Sequence, residues 1–155
     1  MTGRICFIGN SHLGALRLAW GEADTRAGWT ATFFAAPGGL MRGLVIEDGM
    51  LAGHDPQLVK SLEYTGGAAR IDPSQYDLFV VLGQGFRLVE AASIYATHRL
   101  YEDANDRVAP VSHAALGATV RTRLARSAAI VTVRKLRKLT TAPVLLTPDP
   151  LPSSD

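Results

Sequence analysis

The sequence predicts a three-layer α/β/α domain around an open, mostly parallel sheet, and three observations lead there. Short apolar runs alternate with helical patterns along the whole chain, the order that builds parallel sheets with right-handed crossovers. The two clearest runs, residues 5–8 and 78–82, are apolar without interruption, as strands buried on both faces are. Both stop on a glycine, Gly9 and Gly83. In such sheets ligands sit beyond the carboxyl ends of the strands, near the point where strand order reverses.

Each element has its own signal. After the strand at 5–8, Leu13, Leu16 and Trp20 recur at helical spacing, which predicts strand, tight turn and helix. Residues 29–36, WTATFFAA, are aromatic and β-branched and read as a second strand stopped by Pro37-Gly38-Gly39. Residues 43–52 form a small hairpin about Asp48-Gly49. Asp55-Pro56 opens a helix, with Asp as N-cap and Pro in the first turn, that ends at Gly66-Gly67. A loop at Asp72-Pro73 precedes the strand at 78–82, and a short helix is expected over 87–95. Ser112 caps a long helical region reaching Leu139. Its apolar stripe shifts between Leu116-Val120-Leu124 and Ala129-Val133-Leu136, so a break is expected near Ser127. Residues 143–147 supply the last strand, before Pro148, Pro150 and Pro152.

Composition narrows the function classes. A chain of 155 residues, 47% hydrophobic, corresponds to one domain with one core. Cys6 is the single cysteine, so no internal disulfide forms, and a reducing, cytoplasmic location is expected. The first apolar run is too short for a signal-peptide core or a membrane span, and no membrane partner is expected. No Cys/His spacing fits a metal, and neither a dinucleotide loop nor a phosphate loop is present, so no cofactor is expected. Charge is uneven. Residues 1–110 hold 9 Lys/Arg and 12 Asp/Glu, whereas 111–148 hold 7 Lys/Arg and no acid. That basic stretch is either a solvated helix face or a nucleic-acid surface, and the lack of aromatic residues between Arg121 and Lys138 for base stacking disfavours the second. An edge strand at 143–147 would leave room for pairing with a second copy.

The strand ends carry the chemistry. Gly9-Asn10-Ser11, Pro37-Gly38-Gly39, Gly83-Gln84-Gly85 and Pro148-Asp149 should gather on one edge of the sheet. Ser11 at the start of a helix has three roles open to it: N-cap (with Asn10 as the alternative cap), donor to a bound anion, or nucleophile beside amides that stabilise an oxyanion. A serine nucleophile needs a base within reach. His12 is adjacent and expected at the rim, and His54 is expected on the opposite edge. His98 and His113 follow the third strand, with His98 nearer its loop and the better candidate. Asp48 and Asp55 are explained by turn and cap.

Residues 8–12, Ile-Gly-Asn-Ser-His, resemble the Gly-Asp-Ser block of the SGNH, or GDSL-type, hydrolases, with Asn10 at the Asp position and His12 at the Leu position. The resemblance implies a flavodoxin-like α/β domain and a serine esterase acting on an acyl or acetyl ester, a small molecule or a carbohydrate, through Ser11. It also implies an oxyanion hole built from the amide of Ser11, a glycine after the second strand (Gly38 or Gly39) and the third-strand loop. There the family's Gly-x-Asn-Asp aligns with Gly83-Gln84-Gly85-Phe86, without its asparagine, so the amide of Gly85 or the side chain of Gln84 would stand in. The family's Asp-x-x-His block is absent, so the expectation is either a C-terminally incomplete hydrolase or one lacking that dyad. The rival expectation is a non-catalytic domain binding a carbohydrate or an anion at the same loops.

Overall fold

The computed structural model describes residues 2–23, 28–37, 39–87, 89, 92–103 and 107–149. Four strands form the central sheet: β1 (Gly3–Gly9), β2 (Trp29–Ala35), β6 (Leu78–Leu82) and β9 (Val144–Thr147). They run in the order β2-β1-β6-β9 and every pairing is parallel. The chain moves outward from β1 to β2 and returns to β1's other side with β6, so strand order reverses at β1. Register puts Gly9 beside Ala35 on one side and Leu82 on the other, and Leu82 beside Thr147. The loops after β1, β6 and β9 therefore leave the sheet at one level.

Alternation along the strands sorts the core into two clusters. Cys6 and Ile8 of β1 and Phe79 and Val81 of β6 pack with Leu58 and Leu62 of α2 (Pro56–Gly66) and Leu136 of α4 (Ala128–Leu139). Ile5, Phe7 and Val80 point the other way, into a cluster with Leu13, Leu16 and Trp20 of α1 (Leu13–Glu22). Phe7 stacks on Phe33 at 5.1 Å and meets the edge of Trp20 at 5.4 Å. Phe34 and Phe79 are fully buried, and truncating such a ring to alanine costs about 3–5 kcal/mol. Burial pushes the Cys6 thiol well above its ordinary pKa, which leaves it an inert core group.

Caps and turns follow the local sequence closely. The Asp55 carboxylate accepts from the amides of Gln57 and Leu58, Pro56 begins α2, and Gly67 closes it in the left-handed conformation. Strands β3 (Leu44–Glu47) and β4 (Met50–Gly53) form the hairpin on Asp48-Gly49. The long basic region divides into α3 (His113–Ala125) and α4. Ser112 caps the first and Ser127 caps the second through bonds to the amides of Ala115 and Ile130.

Three strands are additions to the expected elements. Two-residue β5 (Arg70–Ile71) pairs antiparallel with β4, and β7 (His98–Leu100) pairs with β8 (Ala109–Val111) in a separate small sheet. Over 87–95, where a short helix is expected, Val89 and Ala92 are α-helical and a 3-10 turn follows at Ser93–Ala96; residues 88, 90 and 91 lie outside the described residues. Among the described residues no helix is long and apolar enough to cross a membrane.

Candidate functional site

Helix α1 starts without help from Ser11. Its N-cap position is His12 with no side-chain cap bond, and the chain turns instead through Asn10, whose Oδ1 accepts from the His12 amide at 3.1 Å. Asn10 and not Ser11 takes the local turn bond. Among the described residues the Ser11 hydroxyl has no protein partner, so the capping role is removed for it.

Asp149 ties the strand ends together. Its carboxylate accepts from Asn10 Nδ2 at 2.9 Å and Arg87 Nε at 3.1 Å, and His12 Nε2 lies 3.9 Å from Oδ1. Its amide donates to Phe86 O at 3.1 Å. The side chain is only 9% exposed, a burial that a carboxylate tolerates because it is paired and hydrogen-bonded. One residue after β9 thus locks the loops after β1 and β6.

The loop after β6 needs its glycines. Gly83, Gln84 and Gly85 all have positive φ, at 71°, 55° and 74°. A Cβ on Gly83 would lie 2.1 Å from Asp149 Oδ1, so both the backbone angle and the space exclude a side chain there. Gln84 holds a left-handed conformation that costs a non-glycine residue about 1–3 kcal/mol. It is 4% exposed; its Oε1 accepts from the Thr132 hydroxyl of α4 at 3.1 Å, and its carbonyl accepts from the Ala129 amide. Its Nε2 is buried and, among the described residues, has no partner.

Ser11 borders two cavities. One, of about 370 Å³, is lined by Asn10, Ser11 and His12, by Gly39 and Arg42, by Gln84, Gly85 and Arg87, and by Ala128 at the start of α4. The other is an apolar groove of about 850 Å³ between α1, β2 and α2, where Leu13, Leu18, Phe33, Pro37 and Tyr64 stand around Ser11. Of the residues lining the smaller cavity, Ser11, Gly39 and Gly85 have backbone amides with no protein acceptor among the described residues.

The expected site residues divide accordingly. Asn10, Ser11, His12, Gly39, Gln84 and Gly85 share the smaller cavity, and Gly83 lies directly behind it against Asp149. Gly38 lies outside the described residues. His98 is not brought to Ser11: it sits in β7, with Nδ1 2.8 Å from the Thr97 hydroxyl, and lines neither cavity. His54 and His113 are likewise taken, by Glu47 at 3.2 Å and Glu102 at 2.8 Å. The Glu102 carboxyl is held below its ordinary pKa by a backbone hydrogen bond and by His113.

Sequence reasoning missed Arg42, Arg87 and the start of α4, and placed Asp149 on this edge without a role. Arg42 lies in a 3-10 turn, Leu40–Gly43, that no helical period reveals. The basic stretch also sorts out. Arg134 donates to Ala125 O, Arg137 to Ala142 O, and Lys135 to Leu44 O, so three of its cations are spent on carbonyls. Compared with known protein families, curated proteins and solved structures, the chain gives no match.

Proposed function

We propose that the protein is an ester hydrolase of the SGNH type, a three-layer flavodoxin-like domain in which Ser11 attacks the carbonyl of an acyl or acetyl ester. One observation carries this reading: the unspent Ser11 hydroxyl borders a cavity lined by Ser11, Gly39 and Gly85, whose backbone amides have no protein acceptor among the described residues. Amides set at the point where negative charge develops stabilise a tetrahedral oxyanion, and each such donor is worth about 10²–10³ in rate. His12 is the one histidine lining the cavity and takes the Ser11 proton, with Asp149 beside its ring to stabilise the imidazolium. The alcohol leaves with that proton, and water then releases the acid from the acyl-serine. The apolar groove on the other side of Ser11 accommodates the apolar half of the ester.

The test is covalent labelling. A fluorophosphonate probe should modify Ser11, identified by peptide mass spectrometry, and 4-nitrophenyl acetate should be hydrolysed by the protein and not by Ser11→Ala. Absence of both labelling and turnover overturns the reading. The carbohydrate- or anion-binding alternative then stands, and predicts ligand binding that Ser11→Ala retains. Nucleic-acid binding is the weaker alternative because the carbonyl contacts of Arg134, Lys135 and Arg137 hold those cations against the protein.

A further inference from the structure

We infer that the smaller cavity recognises a carboxylate, and that the ester this protein accepts carries one a few bonds from its scissile carbonyl. Two guanidinium groups line the cavity. Arg42 is exposed and, among the described residues, its side chain has no protein partner. Arg87 gives Nε to Asp149, which anchors the group and leaves its two terminal nitrogens without a protein acceptor. A planar guanidinium with free donors is matched to a carboxylate, which it can hold through two parallel bonds.

Gln84 also lines the cavity, but it is 4% exposed and its Nε2, without an acceptor among the described residues, is closed to solvent, so the arginines carry the recognition. The 12-residue helix α4 begins at the cavity with Ala128, and its dipole favours an anion there. The amides of Ala129 and Ile130 are already taken by Gln84 O and the Ser127 hydroxyl, so the helix contributes field more than hydrogen bonds.

Charge selects among anions. Asp149 offsets one guanidinium, leaving Arg42 as the uncompensated cation of the Arg42–Arg87–Asp149 group. A singly charged carboxylate balances it. A doubly charged phosphate monoester would bring a second negative charge that no cation of this group balances, next to the Asp149 carboxylate. The volume of about 370 Å³ admits a carboxylate with a few carbons behind it.

That the carboxylate belongs to an ester rests on the hydrolase reading; the anion site itself rests on Arg42 and Arg87 in one cavity. The carboxylate can sit on the acyl half, as in a hemiester of a dicarboxylic acid, or on the alcohol half, as in an ester of a hydroxy acid. Two matched pairs separate these. The first is 4-nitrophenyl hemiglutarate against 4-nitrophenyl valerate, and the second is 4-butyryloxybenzoate against its methyl ester. In one pair kcat/KM should favour the anionic member about 10–100-fold, the worth of a charged hydrogen-bonded contact. Arg42→Ala should bring that ratio towards one and Arg42→Glu should invert it, while Arg70→Ala, at an exposed arginine of β5, should leave it in place.

Glutarate binding measured by calorimetry on the whole protein separates the two readings. Binding kept by Ser11→Ala and lost by Arg42→Ala, with no ester turned over, supports the anion site and removes the hydrolase. Turnover at equal rates within both pairs, with no glutarate binding, overturns the inference and leaves the hydrolase standing.

Discussion

The two cavities that meet at Ser11 are built by different means. The groove is made by regular elements, α1, β2 and α2, and its wall is mostly apolar, with Arg17, Lys60, Ser61 and Thr65 among the residues that line it. The smaller cavity is made by the loops after β1, β2 and β6 and by one helix start, and it collects donors. What separates them is backbone hydrogen bonding. Within a strand or helix the amides are consumed by the ladder, whereas loops that turn sharply leave amides over. A hydroxyl between the two borders a mostly apolar groove, with Arg17 and Lys60 among its lining, on one side and a loop-built, donor-rich cavity on the other. Substitutions that act on one side and not the other test whether this division holds.

The largest expected effect is at the shared residue. Ser11→Ala should lower ester turnover by at least about 10³-fold, since without the nucleophile only binding and oxyanion donors remain. The same change should leave the thermal midpoint within a degree or two, because the hydroxyl makes no protein bond. A stability loss comparable to that of a removed cap would return Ser11 to a structural role. His12→Ala should follow at about 10²–10⁴-fold in kcat, the range of a general base. His98→Ala, in a strand that lines neither cavity, should change kcat less than twofold; equal losses for the two histidines would remove His12 from the mechanism.

Gly83→Ala acts on the loop side alone. Its Cβ would enter the Asp149 carboxylate while the backbone holds φ at 71°, so about 2–4 kcal/mol of stability should be lost, read from urea unfolding. The carboxylate preference should fall with it, because Asp149 holds Arg87. Stability unchanged within 0.5 kcal/mol would mean that the loop after β6 is not locked by Asp149.

How much of this was legible in the sequence follows the same division. The regular half was readable: Leu13, Leu16 and Trp20 mark α1, Asp55-Pro56 and Gly67 bound α2, and the shift of stripe at Ser127 separates α3 from α4. The loops of the smaller cavity were readable as a gathering place through the glycines at strand ends. Their contents were not. Arg42 and Arg87 belong to a short turn and a loop, where no period assigns a side chain a direction. Asp149 becomes a tie only because β9 pairs beside β6, which brings it 139 residues away from Asn10 in sequence to 2.9 Å in space. That His98 lies in a strand was not legible either, since three-residue strands such as β7 and β8 have too few alternations to reveal themselves. Why Asn10 and not Ser11 takes the turn bond follows from reach, the amide side chain spanning two residues where a serine hydroxyl does so more weakly.

The smallest expected effect sharpens the apolar side. Leu18 is 73% exposed on α1 and Tyr64 84% exposed on α2, so neither supports the core, yet both line the groove beside Ser11. Leu18→Glu should therefore leave folding intact. It places a carboxylate where an apolar chain would lie, and the apolar contact it removes is worth about 0.8 kcal/mol per buried methylene, roughly fourfold in rate for each. A series of neutral 4-nitrophenyl esters of increasing chain length should accordingly lose its rise in kcat/KM with length in Leu18→Glu, by about 4–20-fold at the longest chain. The shortest ester should change little, since acetate does not reach Leu18. If the variant slows acetate and long-chain esters alike, the groove does not receive the chain and the apolar half of the ester lies elsewhere.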